Sequence, residues 1–227
     1  MKSRWLIAPF LFLISAAALA AGPFAEGLSY EAVTPPQPTD AKPGQVEVIE
    51  FFWYGCPHCF AVEPYLEAWL KTKPTYVEYR HIPAAIPGSE FYTDAQAFFT
   101  AQVLGIGDKI HEPFFNAIHI EGNGALRDDK DAIRDFFGKF SIAPKDFDGT
   151  WDSFAVQTRM AEAKQIGDRY DVNGVPTFIV NGKWKTGAGY KLASGEYMKP
   201  SDIVDCVSFL VQKEKAAMGG GKIKGKR

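Results

Sequence analysis

Val46-Glu47-Val48-Ile49-Glu50-Phe51-Phe52, running on through Trp53-Tyr54-Gly55 into Cys56-Pro57-His58-Cys59, is the most informative stretch of this 227-residue chain. Its first seven residues are rich in β-branched and aromatic types, which predicts a largely buried strand. Gly55-Cys56-Pro57 stops that strand. Proline is favoured in the first turn of a helix, so a helix is predicted from Pro57, kinked at Pro64. Thr75-Tyr76-Val77-Glu78-Tyr79-Arg80 reads as a second strand. Strand, helix and strand within about 35 residues predict a right-handed parallel unit.

The same stretch carries the chemistry. Cys56 falls at the helix N-cap and Cys59 one turn on, on the same face, a spacing that a disulfide bridges with small distortion. The first free N–H groups of the helix and the positive end of its dipole point at the Cys56 sulfur. Both favour thiolate over thiol, so the Cys56 pKa should fall well below its reference value. His58 adds an N–H donor, or a positive charge when protonated. Pro57 has no N–H to lose. A stabilised thiolate stabilises the reduced protein and makes its disulfide a stronger oxidant. A pKa about 3 units below ambient pH is worth roughly 4 kcal/mol, on the order of 90 mV. The direction follows from the residues; that size is an assumption. Two blander readings compete. A structural zinc site needs two further ligands, and there is no second cysteine pair, while His81, His111 and His119 are scattered. A purely structural disulfide across four residues is sterically tight and stabilises little.

Outward from this unit, the chain divides into segments. Lys2 and Arg4 precede an uncharged run, Trp5 to Ala21, that contains the small-residue site Ala18-Leu19-Ala20. Residues 1–20 therefore read as an export signal cleaved after about Ala20, with a retained membrane anchor as the competing reading, weakened by Pro9. Either way the folded part lies where disulfides persist. Residues 21–45 are proline-rich and without period, a tether. Residues 88–169 show helical spacing at Ala95, Phe98, Phe99, Gln102, Val103 and Ile106, then at Ile133, Phe136, Phe137 and Phe140. A third stretch opens at Trp151-Asp152-Ser153-Phe154 and runs to about Ile166. This is an all-helical insert whose phenylalanines form core. Thr177–Val180, Asn181-Gly182 and Lys183–Thr186 predict a hairpin. Gly174-Val175-Pro176-Thr177 precedes it, and a proline leading a strand invites a cis bond that leaves the Val175 backbone free for an extended partner chain. Ser201 and Asp202 can cap a last helix with Ile203, Val207, Leu210 and Val211 on one face. Cys206 lies beside that face and reads as a small core residue, against a reactive thiol. Residues 216–227 read as a disordered basic tail.

Composition narrows the function. The chain is 46% hydrophobic with 18 Phe and 5 Trp, enough to build a full core. Its formal charge of -2 argues against a nucleic-acid binder. Three cysteines are too few for a disulfide scaffold.

VIEFFWYGCPHC, the kinked helix, the helical insert with WDSF and AVQTRMAEA, and NGVPTFIVNGK together resemble the DsbA family of thiol:disulfide oxidoreductases over residues 45–213. The resemblance implies an α/β, thioredoxin-like fold with an inserted all-helical domain: 46–87 and 170–215 as the thioredoxin-like part, 88–169 as the insert. It implies that Cys56 is the nucleophile and Cys59 the buried resolving cysteine. It further implies that Val175 and Pro176 form a cis-proline loop binding substrate backbone, and that Glu50 is a buried acid tuning proton transfer. On the residues alone, Glu50 reads equally as a strand-end carboxylate with no special role. The activity implied is oxidation of reduced exported proteins in the periplasm by a monomer needing no cofactor. A DsbB-like membrane quinone reductase would reoxidise it. A disulfide isomerase or reductase of the same fold is the nearest alternative. A non-catalytic binder of unfolded chains is the alternative from another class.

Overall fold

The computed structural model describes residues 22–220, apart from 87 and 90. The expected cleaved signal at 1–20 lies outside the described residues. The fold is α/β, with helices inserted between the two parts of its sheet.

Strand β1 is Glu31–Ala32, β2 Val46–Phe52 and β3 Val77–Pro83; β4 is Thr177–Val180 and β5 Trp184–Gly187. They form one sheet in the order β1-β5-β4-β2-β3. β2 lies inside the sheet and is buried along its whole length, including its two glutamates, Glu47 and Glu50. It pairs in parallel with β3 and antiparallel with β4. Helix α1, Pro57–Thr72, makes the crossover between the parallel pair and runs through Pro64. The second strand begins two residues later than the sequence suggests and continues to Pro83.

Strand alternation sorts the core into two layers. Val46 and Val48 face α1 and the last helix, α7, Pro200–Gly220, where Val62, Leu66, Val207 and Leu210 pack. Ile49 and Phe51 face the insert and meet Ala163 and Tyr170. Glu50 shares its parity with Val48, so it is driven inward on the side of α1.

The insert holds α2, Phe91–Val103, α3, Gly107–His119, α4, Lys130–Gly138, α5, Pro144–Trp151, and α6, Phe154–Arg169, with a short 3-10 turn at Gly124–Arg127. Two details correct the sequence reading. Helix α3 buries Ile110, Phe114, Phe115 and Ile118 and contains Pro113, a helix-breaking residue; the sequence reading places no separate helix there. Trp151 ends α5 rather than opening a third helix; Ser153 caps α6, its Oγ accepting from the Val156 N–H.

The proline-rich segment is no tether. Val33 N–H donates to Lys183 O, Gln37 N–H donates to Gly182 O, and Thr186 Oγ donates to Ser29 O at 2.7 Å. Together with the β1–β5 pairing, these bonds cover the outer edge of β5 and the turn before it, a demand of the sheet that leaves no periodic trace in sequence. The turn Asn181-Gly182 has φ of 53° and 64°, and a side chain at Gly182 would meet Gln37 O at 2.2 Å. Glycine is therefore required both for the turn and for the passing chain. The expected tail is likewise shorter: α7 continues through 216–220, with Met218 against the core, while 221–227 lie outside the described residues. The last helix starts at Pro200, so Ser201 and Asp202 both lie in its first turn; from there the Asp202 carboxylate accepts the N–H of the preceding Lys199 at 2.8 Å. Cys206 is fully buried, with Thr186 Oγ 3.7 Å from its sulfur, and burial pushes its thiol up to about 11.

Candidate active site

Cys56 is the N-cap of α1 in extended conformation (φ -82°, ψ 116°), with Pro57 in the first turn. Its sulfur accepts the Cys59 N–H at 3.4 Å, and Val175 O lies 3.5 Å away on the other side. The Val175–Pro176 bond is cis. Thus three separate predictions, the N-cap cysteine, its partner one turn on and the proline loop, meet at one sulfur atom. Pro57 and His58 are exposed; Cys56, Cys59 and Pro176 are buried. None of the three cysteines is bridged.

The two sulfurs are driven apart electrostatically. Cys56 is lowered to about 6. The hydrogen bond from the Cys59 thiol is the largest cause, burial opposes it, and the N–H groups of Cys59 and His58 follow; the charge of His58 comes last. The helix terminus therefore acts as expected but is not the leading influence. Cys59 is raised well above a normal thiol, first by burial and then by its bond to Cys56 and the charges of Cys56 and Glu50. A low-pKa sulfur at the N-terminal end of a helix beside a high-pKa, fully buried sulfur forms an attackable atom and a leaving group that takes a proton.

Behind the pair lies a buried polar cluster. Glu50 is fully buried; Tyr79 donates its hydroxyl to Glu50 Oε2, and His81 Nδ1 lies 3.0 Å from the same oxygen. Burial works against a charge on His81 more than any other single influence, but the bond to Glu50 together with the charges of Glu50, Glu63 and Glu67 outweighs it and raises the pKa. A cavity of about 420 Å³ opens on Tyr79 and His81. The His111 ring is 4.6 Å from that of His81, and its Nε2 faces Glu63 Oε1 at 3.6 Å. This last contact is not an ion pair at neutral pH. Burial, then the Glu50 charge, push Glu63 up to about 8, while burial and the His81 charge push His111 down to about 3. Glu50 is the one member of this cluster that sequence singled out. Tyr79, His81, Glu63 and His111 come from β3, α1 and α3, and only packing brings them together. The usable sequence signal was His111, Phe115 and His119 at i, i+4 and i+8, one stripe of a helix. Among the described residues, no group of three or more His, Cys, Asp or Glu is arranged to hold a metal ion.

Known proteins resemble the chain in sequence and in fold. The family model described as a DSBA-like thioredoxin domain matches residues 47–191. A thiol:disulfide interchange protein DsbA from Pseudomonas syringae pv. tomato is 38% identical over 220 residues, covering 97% of each chain. A protein of the same name from Burkholderia cepacia is 39% identical over 166 residues, 73% of this chain and 77% of that one. The crystal structure of Pseudomonas aeruginosa DsbA superposes with a TM-score of 0.74 at 33% identity, covering 86% of this chain and 96% of the other.

Proposed function

Because the chain belongs to the DSBA-like thioredoxin family, we propose that it oxidises pairs of cysteines in exported proteins by donating a Cys56–Cys59 disulfide. It is a thiol:disulfide oxidoreductase, and the oxidising direction is favoured over isomerase or reductase activity. A substrate thiolate attacks Cys56 Sγ, a substrate–Cys56 disulfide forms, and Cys59 leaves and takes a proton. A second substrate thiolate then attacks the substrate sulfur of that bond. The substrate disulfide closes, Cys56 departs as the thiolate, and two electrons have passed to the enzyme. The observation that carries this reading is the opposed ionisation of the two sulfurs: Cys56 held at about 6 and Cys59 pushed up by burial. The first favours departure of Cys56 as an anion; the second favours protonation of Cys59 once released.

In this reading Pro57 presets the helix turn, His58 adds N–H and charge, and Glu50 accepts or delivers the Cys59 proton. Val175 and Pro176 bind substrate backbone, supported by Val175 O lying 3.5 Å from the Cys56 sulfur. The protein works in the periplasm as a monomer, and a DsbB-like membrane quinone reductase restores its disulfide. No helix among the described residues is long and apolar enough to cross a membrane. Equilibration of the purified protein with glutathione tests the direction: the dithiol should be the favoured form. A potential near that of thioredoxin would reject the donor role. Replacing both Cys56 and Cys59 with serine should abolish oxidation of reduced substrates; an action on unfolded chains that survives the double replacement in full would mean a binder.

A further inference from the structure

Tyr54, two residues before the proposed nucleophile, is gripped at both ends by one helix of the insert. His111 Nδ1 lies 2.8 Å from its hydroxyl, Phe115 packs on its ring at 4.9 Å, and His119 Nε2 lies 2.7 Å from its carbonyl oxygen. A carbonyl only accepts, so His119 carries its hydrogen on Nε2. The His119 ring also stacks on Phe60 of α1, 4.7 Å between centroids at 13°. It therefore ties the residue just past Cys59 to the turn just before Cys56.

That turn has a soft joint. The Cys56 N–H closes it on Trp53 O at 3.0 Å, with Tyr54 and Gly55 in its centre. In such a turn the central peptide can rotate, exchanging one turn type for another, if the second central residue accepts positive φ. Gly55 accepts it freely but does not adopt it here. No other residue type fits readily: a side chain there would lie 2.3–2.7 Å from the Trp53 indole. The glycine demanded by the indole thus leaves the Tyr54–Gly55 peptide free to rotate unless its carbonyl is held.

We propose that His119 is a positioning residue for thiol–disulfide exchange, fixing the Tyr54–Gly55 peptide and through it the seat of Cys56 at the start of α1. This rests on Cys56 being the nucleophile. The test compares His119→Phe, which keeps a ring for Phe60 but has no donor, with His119→Gln, which returns a donor at similar reach without the ring. In each, Cys56 is titrated by thiolate absorbance and the rate of oxidation of a reduced peptide is measured. His119→Phe should raise the Cys56 pKa by about one unit, tenfold less thiolate at acidic pH, and slow oxidation by a similar factor. His119→Gln should stay within about twofold of the wild type. A Phe variant with unchanged titration and rate overturns the proposal, as does a Gln variant impaired as badly as Phe. Should the Phe variant not fold, heteronuclear NMR of the imidazole nitrogens in the wild-type protein decides: hydrogen on Nε2 supports the proposal, a bare Nε2 overturns it. A wild-type Cys56 that titrates as an ordinary thiol would overturn the nucleophile reading as well.

Discussion

Replacing Cys59 with alanine asks which group holds the charge on Cys56. The Cys59 thiol, the Cys59 N–H and the His58 N–H all donate to that sulfur, and the thiol contributes most. Alanine removes the thiol and leaves both backbone donors. A hydrogen bond to a charged group is worth about 1.5–3 kcal/mol, which is about 1–2 pKa units. Cys56 lies at about 6 in the intact site, so Cys59→Ala should bring it to about 7–8. Cys59→Ser keeps a donor and should stay closer to the intact value. Thiolate absorbance against pH measures both, and the pH profile of alkylation by iodoacetamide checks them independently. An alanine variant still titrating near the intact value would refute the reasoning, because the helix terminus would then suffice alone. A rise to that of a free thiol would refute it in the other direction, leaving the backbone donors with no role.

Other expectations follow from the same site and from the sheet. Cys56 is depressed from 9.0 to about 6, so its contribution to the stability of the reduced protein is absent below about pH 6 and complete above about pH 9. It grows by about 1.4 kcal/mol per pH unit between them, which gives about 1.4 kcal/mol, or about 30 mV, at pH 7. Urea unfolding of reduced wild type against Cys56→Ser at three pH values should show that slope; a constant difference would contradict it. Glu63 is raised from 4.5 to about 8, so its proton stabilises the fold at low pH and the advantage is lost as pH rises through that window. Glu63→Gln should flatten the loss and gain about 1–3 kcal/mol at alkaline pH, measured by the same unfolding titration. Gly182→Ala, at φ 64° and with Gln37 O at 2.2 Å from the new carbon, should lower stability by about 1–3 kcal/mol with Cys56 reactivity unchanged.

What sequence makes legible here is what lies close along the chain. Cys56, Pro57 and Cys59 occupy one helical turn, so their geometry follows from helix periodicity alone. Asn181-Gly182 announces its own turn. Glu50 stands out because a charge interrupts an apolar strand. The cluster behind it has no such contiguity. His81 and His111 belong to a strand and a helix that meet only after the insert folds back, and His111 sits in a helix whose pattern Pro113 obscures. The proline-rich segment is illegible for a related reason. Its order comes from backbone hydrogen bonds to β5, and backbone groups are the same in every sequence. The size assumed for the thiolate effect, about 4 kcal/mol, also shrinks at neutral pH, since Cys56 at about 6 leaves only about one unit of the three in play.

The register of the sheet edge has a consequence for when the enzyme can act. Glu31 pairs with Lys185 and Ile49 with Ile179, so the first strand to emerge from a chain delivered N-terminus first waits for nearly the last. Val175, whose carbonyl faces the reactive sulfur, arrives later than the whole insert. A partly delivered chain thus has its cysteines but neither the flanking strand nor the loop proposed above to bind substrate. Cys56 and Cys59 in such a chain would be ordinary thiols, open to oxidation as clients themselves, and competence appears only once the segment from Val175 onward has docked.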